Sequence, residues 1–241
     1  MLTSTRGIVL HHIKYTDSRI IAYIYTDKFG RQTYILRGAA NKRSGIRKNL
    51  IQPLFLLDME VYYKEKREIQ SIKELIISEP FNSIPFDTVK STVALFIAEI
   101  LYKSLKEHTP NPQLFEFLFN AIQKLDKLEK GIHNYHILFL IILTRYLGFF
   151  PNGKFSGTTD TFDMLEGSFT SGMIKHGQMM SPEISEIFSR LLEKPLDEVD
   201  KISLSHSQRE QLLEKLIEYY QIQLISMKEV TSYKILKSVF E

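Results

Sequence analysis

The stretch SRIIAYIYTDKFGRQTYILRG, Ser18 to Gly38, decides how the front of this 241-residue chain is read. Ile20, Ala22 and Ile24 fall on one side of it, and Ile21, Tyr23 and Tyr25 on the other. Alternation of this kind marks a strand, whose successive side chains point to opposite faces. DKFG, Asp27 to Gly30, follows as a turn, with Gly30 where a left-handed residue is wanted. RQTYILRG then resumes the strand pattern, so the stretch predicts a β-hairpin.

Working outward, RGIVLHHI (Arg6–Ile13) is short and β-branched, as a strand requires. LFLLDMEVYYK (Leu54–Lys64) puts Phe55, Leu57, Met59, Val61 and Tyr63 on one face and Asp58, Glu60 and Tyr62 on the other. EKRE is a polar turn, and IQSIKELIIS (Ile69–Ser78) is a fifth strand. Five short strands before Pro80, with a long break between the third and fourth, suggest a small closed barrel. The break falls where an oligonucleotide-binding (OB) barrel carries its variable connection.

After Pro80 and Pro85 the period becomes helical. Asp87 is a fitting N-cap for TVKSTVALFIAEILYKSLKEH, whose stripe is Val89, Val93, Phe96, Ile97, Ile100 and Leu101. QLFEFLFNAIQKLDKLEK reads as a second helix. HNYHILFLIILTRYLG, apolar almost all round and closed by Gly148, belongs at the centre of a bundle. The next segment is rich in Gly, Ser and Thr, and reads as an irregular insert, residues 149–180, with one hairpin around Glu166–Gly167. Ser181 and Pro182 open another helix, and SHSQREQLLEKLIEYYQIQLIS and YKILKSVFE complete the set. The expectation is an α+β multidomain chain: an OB-type barrel over residues 1–80, then a helical bundle domain over 81–241.

The apolar share of 44% and charged share of 24% are those of an ordinary globular protein. Cysteine is absent, which removes disulfides, thiolate nucleophiles and cysteine zinc sites, and fits a reducing compartment. The apolar run Gly7–Leu10 is too short for a signal peptide, and Ile137–Leu143 is far below the roughly 18 residues of a membrane span. A cytoplasmic protein without membrane contact is expected. The net charge of +3 hides an asymmetry. Residues 1–80 hold 14 Lys/Arg against 8 Asp/Glu, whereas residues 81–241 hold 17 against 20.

Much of the front charge lies in LRGAANKRSGIRKN, Leu36 to Asn49, which carries Arg37, Lys42, Arg43, Arg47 and Lys48 and no carboxylate. Cations neutralise phosphates and glycines let the backbone approach them, so the segment reads as a phosphate-binding connection rather than a solubilising one. It lacks the spacing of a Walker loop. Tyr23, Tyr25 and Tyr34 offer faces on which bases could stack, although cross-strand packing is the better reading of any single one. His133 and His136 lie three apart on one helix and read as surface histidines, since no third metal ligand is evident. His206, between Ser205 and Ser207, reads as cap chemistry rather than as part of a triad. No acid–base pair or metal cluster emerges, so a binding module is expected, not an enzyme, with no cofactor and no metal.

In order, GIVL (Gly7–Leu10), YTDSRII (Tyr15–Ile21), Thr26 with Gly30, RGAANKRSG (Arg37–Gly45) and LTRYLGFFPN (Leu143–Asn152) resemble the pattern of the RecO family of bacterial recombination mediators. The resemblance implies an OB domain joined to a helical domain. It implies binding of single- and double-stranded DNA, strand annealing and cooperation with RecR. It also implies contact with the C-terminal tail of the single-stranded DNA-binding protein SSB, so that a recombinase loads onto coated DNA at the nucleoid. Many members carry a four-cysteine zinc module after the LGFFP-like segment. Here that stretch, Asn152–Gln178, has no cysteine, so zinc is not carried over. Packing by Phe155, Phe162, Leu165, Phe169 and Met173 is expected to replace it. The predicted DNA contacts are Arg37, Lys42, Arg43, Arg47 and Lys48, completed by Arg31 and Tyr34 on the third strand. The tail of SSB is expected on residues 81–241, near Arg145 and Lys175. The alternative is an adaptor whose barrel docks acidic protein segments.

Overall fold

A computed structural model describes residues 1–17, 19–37, 48–157, 159–172 and 174–240. The chain divides into two compact units, Met1–Lys127 and Leu128–Glu241.

The first unit is built on strands β1 (Leu2–Thr16), β2 (Arg19–Thr26), β3 (Gly30–Arg37), β4 (Leu56–Tyr62) and β5 (Ile69–Ile77). They close in the order β1-β2-β3-β5-β4, antiparallel throughout except between β3 and β5. This is the expected five-stranded OB-type barrel. β1 closes it by serving two partners, since Leu2–Ile8 pair with β4 and Gly7–Thr16 with β2. At the crossing stands Gly7, where a Cβ would lie 2.5 Å from Met59 and 2.6 Å from Ile24, so any side chain there would have to displace both. The expected faces are observed: Ile20, Ala22, Ile24, Leu57, Met59 and Val61 fill the interior with Val9, Leu36 and Ile51. In the β2–β3 turn Gly30 has φ +60°, and a Cβ there would meet the carbonyl oxygen of Thr109 at 2.6 Å.

Helices α1 (Thr88–Ser104) and α2 (Pro112–Lys127) belong to the same unit, so the sequence boundary at residue 80 falls inside it. Asp87 caps α1 by accepting from the Lys90 amide. The connecting segment is held by Asp126, whose carboxylate accepts from the amides of Asn82, Ser83 and Ile84. Buried Lys90 donates to Ser83 Oγ and to the Asp126 carbonyl. The helices cover the outside of the barrel wall: Tyr25 stacks on Phe115 of α2, and Tyr23 meets Tyr102 of α1 edge-on at 5.1 Å.

In the second unit α3 (Ile132–Leu147) is buried from Asn134 to Ile141, as its all-round apolar pattern predicts, and left-handed Gly148 caps it. Around it stand α4 (Pro182–Leu192), α5 (His206–Gln223) and α6 (Ser232–Phe240). Ser181 caps α4, and Ser205 with Gln208 forms a capping box on α5. The insert contains the expected hairpin, β6 (Thr161–Asp163) and β7 (Ser168–Thr170). Phe162 is its anchor, with ring centroids of Phe188, Phe169 and Tyr219 at 4.9, 5.0 and 5.1 Å. Leu165 departs from expectation. It sits in the hairpin turn at 45% exposure, and buried Met164 and Met180 fill the core instead. Met173 lies outside the described residues.

Candidate nucleic-acid interface

Arg37 is the last residue of β3 and stands opposite Arg19 in the β2–β3 ladder. Lys48 begins a short 3-10 turn, Lys48–Leu50, which leads into the buried Ile51. Lys42, Arg43 and Arg47 lie outside the described residues. The basic connection is therefore rooted at the end of the barrel where β1 turns into β2. The outer wall toward the other end has the opposite character. There Asp27, Asp58, Glu60 and Glu74, with Arg6 and Lys28, line an open groove of about 440 Å³.

The two strand residues of the predicted contact set are corrected by their burial. Tyr34 is fully buried inside the barrel, because its position alternates inward with Leu36. Desolvation raises its phenol above the usual range. Arg31 is only 8% exposed. Its guanidinium donates to the carbonyls of Tyr102 and Leu105 at 3.1 and 2.8 Å and lies over the rings of Tyr23 and Tyr102. These carbonyls sit at the C-terminal end of α1, whose unpaired oxygens and dipole attract a cation. Burial lowers the Arg31 pKa, and the neighbouring tyrosines oppose that shift. Tyr25, with its phenol pushed up to about 12 by desolvation, is likewise packed against α2. The wall that OB barrels commonly offer to bases is here covered by the chain's own helices.

The histidines also separate. His133 is exposed, but His136 is buried, so the surface reading fails for it. Helix α3 is apolar all round, and position 136 points into the unit. Burial, then Arg209 and His133, push its pKa down to about 3. The hydroxyl of Ser205 is engaged by the Gln208 amide, and Glu210 lies 3.9 Å from His206, one turn along the same helix. Among the described residues no three His, Asp or Glu side chains are grouped to hold a metal ion, and no helix is long and apolar enough to cross a membrane. Arg145, expected near the peptide site, donates to the Leu192 carbonyl and lies over Phe150. Lys175 is exposed.

Sequence reasoning passed over the β1–β2 hairpin tip, where Tyr15 and Arg19 are exposed beside the root of the basic connection. Its signal was the continuation of β1 beyond the apolar run.

Two family models cover nearly the whole chain: Recombination protein O N terminal matches residues 1–81, and Recombination protein O C terminal matches residues 85–228. Full-length similarity extends to proteins named DNA repair protein RecO. The one from Phocaeicola vulgatus is 32% identical over 240 residues, and the one from Bacteroides fragilis is 34% identical over 242. That from Flavobacterium psychrophilum is 34% identical over 247. Each alignment spans 100% of both chains.

Proposed function

The chain belongs to the RecO family of DNA repair proteins, and from that premise we propose that it is a recombination mediator acting by binding, without catalysis or cofactor. The Leu36–Asn49 connection grips the sugar–phosphate backbone of single- and double-stranded DNA. Phosphate contacts carry no sequence information and leave the base edges free, which annealing requires. The helical part of the chain, residues 81–241, receives the acidic, apolar-ended tail of SSB, and RecR joins so that a recombinase loads onto the coated strand. The setting is the cytoplasm, at the nucleoid. A notch between α5 and α6, lined by Leu213, Leu236 and Phe240 with Arg209 at its rim and Lys237 paired with Glu210, supports the tail reading, because apolar burial gives affinity and charge gives orientation. The observation that carries the DNA reading is the one-signed connection: five cations and no carboxylate, rooted opposite Arg19 on a barrel whose other end is acidic.

Salt-titrated binding to labelled single-stranded DNA tests it. Five phosphate contacts contribute a slope of about −3.5 in log K against log salt. Replacing Lys42, Arg43, Arg47 and Lys48 with Ala should flatten the slope and weaken all sequences alike. An unchanged slope assigns these residues to solubility. The covered β1–β2–β3 wall favours a second reading, the adaptor that docks acidic protein segments. In that case the same variant loses an acidic peptide while its DNA binding stays as in the parent.

A further inference from the structure

Helix α6 is held to its unit lightly. Of its nine residues only Leu236 is buried, and the next residue back, Ile235, is 54% exposed. Its polar ties to α5 lie near the surface: Tyr233 donates to the Glu214 carboxylate at 2.9 Å, and Lys237 pairs with Glu210. Ties of this kind contribute little, and nine residues are too few to keep a helix without packing. The chain just before α6 is anchored, because Met227 and Val230 are buried. The helix can therefore swing away about Thr231 while the connection that leads to it stays in place. What it covers is a seat built by other elements. The half-buried Phe240 ring lies 4.9 Å from the ring of His133 and 5.4 Å from that of His136, both on α3. Leu213 of α5 adds to the floor, and His206 and Arg209 of α5 stand beside it.

We propose that α6 is an autoinhibitory cover: Phe240 occupies the seat on α3 and α5 that the apolar end of an acidic partner tail takes, and the tail binds by displacing the helix. This rests on the tail-binding reading above and adds to it the regulation of that site. A ligand that must displace a cover binds more weakly, in proportion to the fraction of molecules whose seat is open. Lys237 leaves with the helix, so the carboxylates of the tail fall to Arg209 and His206, which remain on α5. The displaced Glu210 loses its lysine, which keeps the helix as a competitor when no tail is present.

The chain contains no cysteine, so Glu210→Cys with Lys237→Cys places the only two thiols across the α5–α6 contact. A short bismaleimide joins them and locks the cover, and the same variant capped singly with N-ethylmaleimide is the control. The probe is a labelled peptide of four aspartates ending in Leu-Phe with a free carboxylate, titrated against the full chain by fluorescence anisotropy. Phe240→Ala should bind it about tenfold more tightly than the parent, and the bridged protein about tenfold more weakly than the capped control. Hydrogen exchange should speed up in the amides of α6 when the peptide binds the parent, but not in those of α5. If the parent binds the peptide while Phe240→Ala is no tighter and the bridge changes nothing, α6 is a fixed wall of the site: the cover is wrong and the tail reading stands. If neither the parent nor Phe240→Ala binds the peptide, the tail reading fails and the cover falls with it.

Discussion

Two sets of arginine and tyrosine ride on neighbouring strands of one barrel and meet opposite fates. Along the outer wall, Tyr23, Tyr25 and Arg31 face α1 and α2 and are consumed by packing, ring contacts and the capping of a helix end. At the hairpin tip, Tyr15 and Arg19 have the same chemistry and are exposed among the described residues. Residue type alone therefore does not mark a nucleic-acid contact in this barrel. What decides is whether the chain has already used the side chain to satisfy itself. A buried cation that answers helix carbonyls cannot also release counterions from a phosphate backbone.

The largest expected effect that can break this contrast comes from Arg31→Ala. It removes two charge-assisted hydrogen bonds from a buried site and should cost about 1.5–3 kcal/mol in chemical denaturation, while the salt slope of DNA binding stays as in the parent. A flattened slope with unchanged stability would move Arg31 back to the interface.

Acid should loosen the covered regions next. The folded pKa of His136 is pushed down to about 3, by burial first, whereas the unfolded imidazole titrates near 6.5. The folded state thus refuses a proton that the unfolded chain accepts. Its stabilising contribution is fully present above about pH 6.5 and is lost as pH falls toward 3, amounting to about 2 kcal/mol by pH 5. His11, lowered by burial and then by Arg31, acts in the same direction within the covered cluster. The tip, Ile13–Arg19, holds no histidine. Urea melts at pH 7 and pH 5 measure the loss, and His136→Phe should reduce it. A profile flat between those values would mean that the His136 ring reaches water.

The smallest effect belongs to Tyr34→Phe. The Tyr34 hydroxyl is buried without a hydrogen-bond partner among the described residues. Removing it should be neutral or stabilising by up to about 1 kcal/mol, with DNA affinity unchanged in the same binding assay. A loss of affinity in a variant of unchanged stability would show that the barrel opens to present this ring.

Much of the architecture was legible because its causes are local. Alternation in Ile20–Tyr25 sorts side chains onto two faces whatever lies beyond them, so the strands and their inward residues followed from order alone. Asp87, Ser181 with Pro182, Ser205 and Gly148 mark helix ends because a cap is a contact between near neighbours in the chain. The one-signed charge of Leu36–Asn49 is likewise a property of composition. The tertiary structure decided which outward faces stay outward. Alternation shows that Tyr23, Tyr25 and Arg31 point away from the barrel interior, but it cannot show that residues some 70 to 90 positions later return to cover them. Nor can it show that a one-residue slip after Lys14 turns Tyr15 toward solvent. Burial of a barrel's outer wall is a long-range event, set by where α1 and α2 pack, and it draws Arg31 into the fold while Arg19 stays exposed.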